Sequence, residues 1–195
     1  MSTPRIAPLE PPHPPARAEA LARWMPPGSP LEPLALFRTL LHGPALADAM
    51  WPLGAHLLSR RSGLPIRARE LVILRVCARC GCAYEWGVHA AAFGSAAGLD
   101  AAALRATWSG RPEDPALAPE DAPLLALVDE LHAKGRVSDL TWGALAARFD
   151  PPRLLALLVL AGWYHAIAYV ANGVNVPPEP WAVRPEVAAD GGLPT

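Results

Sequence analysis

Four side chains in one short stretch of this 195-residue chain have the types and spacing that proton-transfer or thiol chemistry needs. The stretch is RARELVILRVCARCGCAYEWGVH, residues 67–89. On a helix, residues at i, i+3 and i+7 share a face, so Cys82, Glu85 and His89 place a thiol, a carboxylate and an imidazole on one stripe. Glu70 lies one predicted helix earlier, on the face of Ile73, Leu74 and Cys77. If the two helices pack as a hairpin about Gly81, Glu70 reaches the same stripe. Its neighbours Leu71, Val72 and Leu74 predict burial and a raised pKa, which suits a carboxyl group to moving protons. A carboxylate beside an imidazole holds its tautomer; beside a thiol it can accept the thiol proton.

Taken singly, each residue also has a structural reading. Glu70 can pair with Arg67 or Arg75, and Cys82 can be a small buried hydrophobe. Glu85 can be a first-turn glutamate favoured by the helix dipole, and His89 a core histidine with satisfied hydrogen bonds. Four such residues on one stripe and its partner helix argue for a site. At the start of a helix the Cys82 thiol is expected to have a lowered pKa. Cys77 and Cys80 form a second C-x-x-C, readable as a redox pair or, with Cys82 and His89, as a zinc set. That spacing is cramped and broken by a helix end, so no metal is expected. Tyr84, Trp86 and His165 are packing groups that double as candidate pocket-wall residues. Arg67, Arg69 and Arg75 are each near enough to hold a substrate carboxylate. His13, His42, His56 and His132 carry no argument.

The elements that must position these groups read as helices throughout, and no strand pattern appears. The predicted helices span 34–42, 45–61 (with Pro52 as a kink), 66–79, 82–97, a short one after the cap Asp100, then 119–134, 138–149 and 153–172. Residues 108–118 read as loop. Of 24 prolines, ten lie in 1–33 and five in 177–195. These ends read as a proline-rich N-terminal arm and a C-terminal tail, extended or disordered, around one helical domain over 34–176.

Composition limits the partners. With 52% hydrophobic residues a full core is available, and with a net charge of −1 there is no basic field for nucleic acid. The apolar run 154–170 is interrupted by Gly162, Tyr164 and His165, so it reads as a core helix and not a membrane span. The chain starts with no apolar leader, and its three cysteines crowd into six residues, which excludes a long-range disulfide framework. A reduced cytoplasmic protein is expected.

The glutamate inside RARELVILRV, then GCAYEW, then a histidine four residues after the second glutamate, resemble the carboxymuconolactone decarboxylase-like family, in the superfamily that also holds the alkyl hydroperoxidase D group. The segments LALFRTLLHGPALADAMWPLGAHLLSR and WYHAIAYVANGV extend the resemblance over most of the core. It implies an all-α fold and homo-oligomers with active sites near subunit contacts. The peroxidase branch carries C-x-x-C-x-x-x-H with an upstream glutamate, which places Cys82, Glu85, His89 and Glu70 at its four positions. Glu85 stands where that branch has its second cysteine, and a carboxylate cannot resolve a sulfenic acid. Cys80, the obvious substitute, precedes Gly81 and is off the stripe. The resemblance therefore implies the decarboxylase type: a cofactor-free lyase or isomerase acting on a small carboxylated or lactone-type metabolite. His89 and Glu70 would shuttle protons, and Glu85 would orient His89 or serve as second carboxylate. A thiol-dependent peroxidase with Cys82 as nucleophile is the alternative, and a non-catalytic binding protein of the same fold the third. Apolar residues on more than one face, such as Ile73, Leu74 and Val76, add to the expectation of a homo-oligomer, with the arms lying across a neighbour.

Overall fold

The computed structural model describes residues 3–26, 28, 29 and 31–185. Among the described residues the regular elements are helical and no strand occurs. In chain order they are α1 (Pro15–Trp24), α2 (Ala35–Leu40), α3 (Pro44–Leu58), α4 (Ile66–Arg79), α5 (Ala83–Phe93), α6 (Ala101–Ser109), α7 (Ala122–Lys134), α8 (Asp139–Ala146) and α9 (Pro151–Val174). Single 3-10 turns stand at Arg60–Ser62 and Pro119–Asp121.

Helix α4 is the axis of the bundle. Its residues from Ala68 to Cys77 are buried without a break, because α5, α6, α7 and α9 pack around it. A helix apolar on every side has to be enclosed in this way. Each of Leu71, Val72, Ile73 and Leu74 is fully enclosed and contributes about 1.5–3 kcal/mol. The faces bearing Ile73, Leu74 and Val76, expected to await a second subunit, are thus covered by the chain's own helices. The polar groups on α4 are paired as they go under. Arg75 is bidentate to Asp129 of α7 and also donates to the carbonyls of Thr107 and Gly110.

The α4–α5 hairpin follows from local chain chemistry. Gly81 takes a left-handed φ of 60°, a conformation in which a side chain is strained. Around it the Cys82 N–H donates to the Cys77 carbonyl at 2.7 Å and the Gly81 N–H to that of Ala78 at 3.0 Å. This pair of bonds is a Schellman closure, and it leaves Cys82 as the N-cap of α5. Asp100 caps α6 by accepting from the Ala103 N–H at 2.8 Å, as its position before a helical run predicts. Helix α6 continues through Trp108 to Ser109, where loop is expected from 108.

Both ends are more structured than their proline content suggests. Proline inside a first turn is compatible with a helix, and α1 begins at Pro15 and buries Leu21. Ahead of it, the Arg5 N–H donates to the Val174 carbonyl and the Leu9 N–H to that of Arg38. The expectation of an extended or disordered arm is corrected to that extent, and the arm lies on its own domain. The tail, described as far as residue 185, crosses α5 at Gly87. There the Val183 N–H donates to the Gly87 carbonyl at 3.3 Å, and a Cβ on residue 87 would stand 2.2 Å from the Val183 oxygen. Residues 186–195 of the expected tail lie outside the described residues.

Helix α9 has the length and apolarity of a membrane span, with 44% of its most apolar window buried. It packs along α4 and touches α3, α5 and α8, the contacts of a core helix in a bundle.

Candidate active site

The hairpin brings Glu70 of α4 against His89 of α5. Glu70 Oε2 lies 2.7 Å from His89 Nδ1, and both side chains are buried. The other oxygen of Glu70 accepts from Arg69 Nε at 2.7 Å, while Arg69 Nη1 donates to the Leu58 carbonyl at the end of α3. Burial alone pushes the Glu70 carboxyl up, but the His89 and Arg69 contacts together outweigh it and the net direction is down. The raised pKa expected from its apolar neighbours is therefore corrected: His89 and the adjacent Arg69 outweigh burial and hold Glu70 toward the carboxylate. An ionised Glu70 accepts a hydrogen bond from His89 Nδ1–H, and in that neutral tautomer Nε2 carries the ring's lone pair.

What faces Nε2 comes from α9 and from α5 itself. The Tyr164 hydroxyl lies 2.9 Å from Nε2, its ring edge-on to the imidazole at 5.1 Å. Burial, followed by the nearby Glu85 and Glu70, holds the Tyr164 phenol well above its ordinary pKa. It therefore stays protonated and donates to Nε2. Glu85 Oε2 stands 3.7 Å from the same nitrogen. Burial raises the Glu85 carboxyl, His89 opposes the rise and Glu179 adds to it, and the net direction is up. Two glutamates on one imidazole are thus pushed apart, Glu70 toward the ionised form and Glu85 toward the acid. Such a split separates an orienting carboxylate from a proton donor.

His89, Glu85 and Tyr164 open onto a cavity of about 460 Å³ whose wall is predominantly aromatic and aliphatic. Trp24, Phe37, Trp51, Phe93, Trp163 and Trp181 line it. The wall is assembled from α1, α2, α3, α5, α9 and the tail. Arg23 at the end of α1 is the one arginine among the described lining residues; it pairs with Asp48 at 2.6 Å and lies over the Trp51 ring. A more open cleft of about 750 Å³ between the chain ends has no histidine, cysteine or carboxylate among its described lining residues.

Residues 44–110 match the model of the carboxymuconolactone decarboxylase family. Over those residues the chain is similar to that family. A crystal structure of an Agrobacterium tumefaciens protein of unknown function, named there as a candidate antioxidant defence protein AhpD, has a similar fold. Its TM-score is 0.64 at 22% identity, over 72% of this chain and 94% of that one. A search of curated proteins finds no significant match.

The matched segment holds all four residues singled out by spacing, but they are not all in one place. Glu70, Glu85 and His89 converge. Cys82 is fully enclosed and is not in the cavity wall. Burial drives its thiol up to about 12, against the pull of the Glu85 and Tyr84 N–H groups at the head of α5 and with the Glu85 charge adding to the rise. The lowered pKa expected from a helix start is thereby corrected, because desolvation exceeds the effect of the helix end. Tyr84 lies outside the cavity and donates to Glu179 Oε1 at 2.6 Å, while its oxygen accepts from the Leu36 N–H. Trp86 is buried with its indole N–H on Thr107 Oγ1 at 3.0 Å, a packing role. His165 is absent from the cavity wall, and its ring meets His132 instead. Arg67 and Arg75 are held by Asp121 and Asp129, and Arg69 by Glu70, so the arginines near the motif are committed to the fold. Tyr164 was not singled out from the sequence. Its hydropathy blends into an apolar helix, and the available signal is a phenol placed before a histidine in a run otherwise suited to burial.

Proposed function

We propose that this chain is a cofactor-free acid–base enzyme, a lyase or isomerase, acting on a small and largely apolar carbonyl compound of lactone type. The observation that carries this reading is the Glu70–His89–Tyr164 chain ending beside Glu85 in an aromatic cavity. His89 Nε2 takes a proton from a carbon next to the substrate carbonyl, and the electron pair moves into an enolate. The imidazolium so formed is paired with Glu70. The Tyr164 hydroxyl turns from Nε2 to the enolate oxygen, where a fixed donor in a dry site is most effective. Protonated Glu85 returns a proton to the conjugate carbon, and Nε2 reprotonates Glu85, which leaves the enzyme unchanged. In the lyase version carbon dioxide leaves without its bonding electrons, the carbon that keeps them takes the Glu85 proton, and Glu85 regains a proton from solvent after the product leaves. A substrate carboxylate would find Arg23 at the cavity wall.

The name of the Agrobacterium protein favours a second reading, a thiol peroxidase using Cys82. An enclosed thiol held near 12, outside the cavity and without a neighbouring resolving thiol on its stripe, gives that reading less support. The cavity gives an enzyme or a binding protein room for a ligand, and the convergence of His89, Tyr164 and Glu85 on it favours the enzyme. Alkylation with iodoacetamide tests the choice. Cys80, half-buried where Cys77 and Cys82 are enclosed, should label first, with turnover on a panel of substituted lactones retained. Loss of all activity on alkylation, together with consumption of an organic hydroperoxide by the untreated protein, would overturn the acid–base reading.

A further inference from the structure

A second cluster of reactive side chains lies among α4, α7 and α9, away from the cavity. Cys80 is the C-cap of α4, His132 is in the last turn of α7, and His165 is in the middle of α9. Their ligating atoms lie within 4.8 Å of one another. His132 Nδ1 and His165 Nε2 are 3.0 Å apart, so one ring presents a lone pair to the other. The opposite nitrogen of His165, Nδ1, is 2.9 Å from the Ala161 carbonyl and must donate to it. That bond fixes the tautomer, leaving Nε2 as the electron-pair donor, the arrangement that metal-bound histidines use. Cys80 is anchored to α9, because Asn172 Nδ2 donates to its carbonyl at 2.8 Å. Asp129, close to His132 on α7, is taken by Arg75 and Arg79, so it offsets one of those two positive charges and is not itself free to act as a ligand.

We propose that Cys80, His132 and His165 form a site for a divalent transition metal of the zinc type, with three protein ligands and a fourth position open to water. Tetrahedral zinc with arms of about 2.0 Å to nitrogen and about 2.3 Å to sulfur needs ligand atoms roughly 3.3–3.6 Å apart. The present separations require shifts of the order of 1 Å, within reach of rotamer adjustment in an exposed histidine and two half-buried residues. On binding, the metal releases the Cys80 thiol proton to solvent, the Nδ1 proton of His132 is exchanged through solvent to Nε2 of the same ring so that Nδ1 can ligate, and nothing is oxidised or reduced. The site joins three helices already tied by the Arg75–Asp129 and Arg79–Asp129 ion pairs and by the Asn172–Cys80 hydrogen bond, and His165 is adjacent to Tyr164. Occupancy would therefore tie down the stretch of α9 that carries the phenol. This site is independent of the acid–base reading, and either can fail alone.

Cobalt(II) titration of the untagged full-length protein tests the proposal. One equivalent should bind, with a thiolate-to-cobalt charge-transfer band in the near ultraviolet and the intense visible bands of a tetrahedral ion. Zinc should displace it. Cys80→Ser should remove the charge-transfer band, and His132→Ala and His165→Ala should each weaken binding by at least about tenfold. Cys82→Ser should leave the spectrum unchanged. Because His132 is exposed, its alanine variant tests ligation without threatening the fold. No stoichiometric binding would overturn the proposal. So would a charge-transfer band that survives Cys80→Ser, or affinity indifferent to both histidines.

Discussion

At the scale of single residues, the site depends on which nitrogen of His89 carries the proton, and Glu70 decides that. Tyr164→Phe removes the donor at Nε2 with little change of volume. It is expected to lower kcat by about 10²-fold or more with little change in KM, since a positioned donor acts mainly in the transition state. Steady-state kinetics on any lactone that turns over would check this. Glu85 and Glu70 affect stability with opposite signs. The carboxyl of Glu70 is lowered on folding, so its contribution is present above the unfolded value and is lost as pH falls through the folded one. The carboxyl of Glu85 is raised from its ordinary 4.5, so the folded state holds that proton more tightly, and stability is lost as pH rises from 4.5 through the folded value. Glu85→Gln should therefore melt higher than the parent at pH 7, and the gain should vanish below about pH 4.5. Thermal melts at the two pH values check the sign. The sequence made Glu70, Glu85 and His89 legible because helical spacing fixes which residues share a face. It misplaced Cys82, since spacing puts a residue on a stripe without saying whether solvent reaches it. It passed over Tyr164, because a tyrosine in an apolar helix looks like core until its hydroxyl has a partner.

At the scale of elements, the bounds of α4 were fully legible. Pro65 before it and Gly81 after it are start and stop signals with a physical cause. Less legible was how the tail would return, since no periodicity marks an irregular segment. Its crossing point is Gly87, where a methyl group would collide with the Val183 backbone. Gly87→Ala is expected to cost about 1–3 kcal/mol, as overpacking does. It should also loosen the tail that carries Trp181 to the cavity wall. A lowered melting temperature, with increased quenching of tryptophan fluorescence by acrylamide, would show both effects.

At the scale of the whole molecule, the two proline-rich ends close the chain's own cavity: α1 brings Arg23 and Trp24, and the tail brings Trp181. Composition alone could not reveal this, because proline limits hydrogen bonding without preventing an end from packing. The faces of α4 are satisfied within the chain, but α9 still exposes Leu155 (62%), Val159 (45%) and Tyr169 (67%), and α8 exposes Leu140 (85%). Apolar side chains exposed on neighbouring helices suit a contact between copies. A homo-oligomer is the expected state, and light scattering at micromolar concentration checks it; a clean monomer mass would remove the expectation.

The central claim is that His89 Nε2 moves a proton from carbon and that no thiol takes part. The most direct measurement is proton NMR of substituted lactones in deuterated water, following loss of the signal next to the carbonyl. The account predicts exchange catalysed by the parent protein, exchange retained in Cys82→Ser and abolished in His89→Ala. Exchange that survives His89→Ala, or that disappears in Cys82→Ser while the fold is intact, would contradict it.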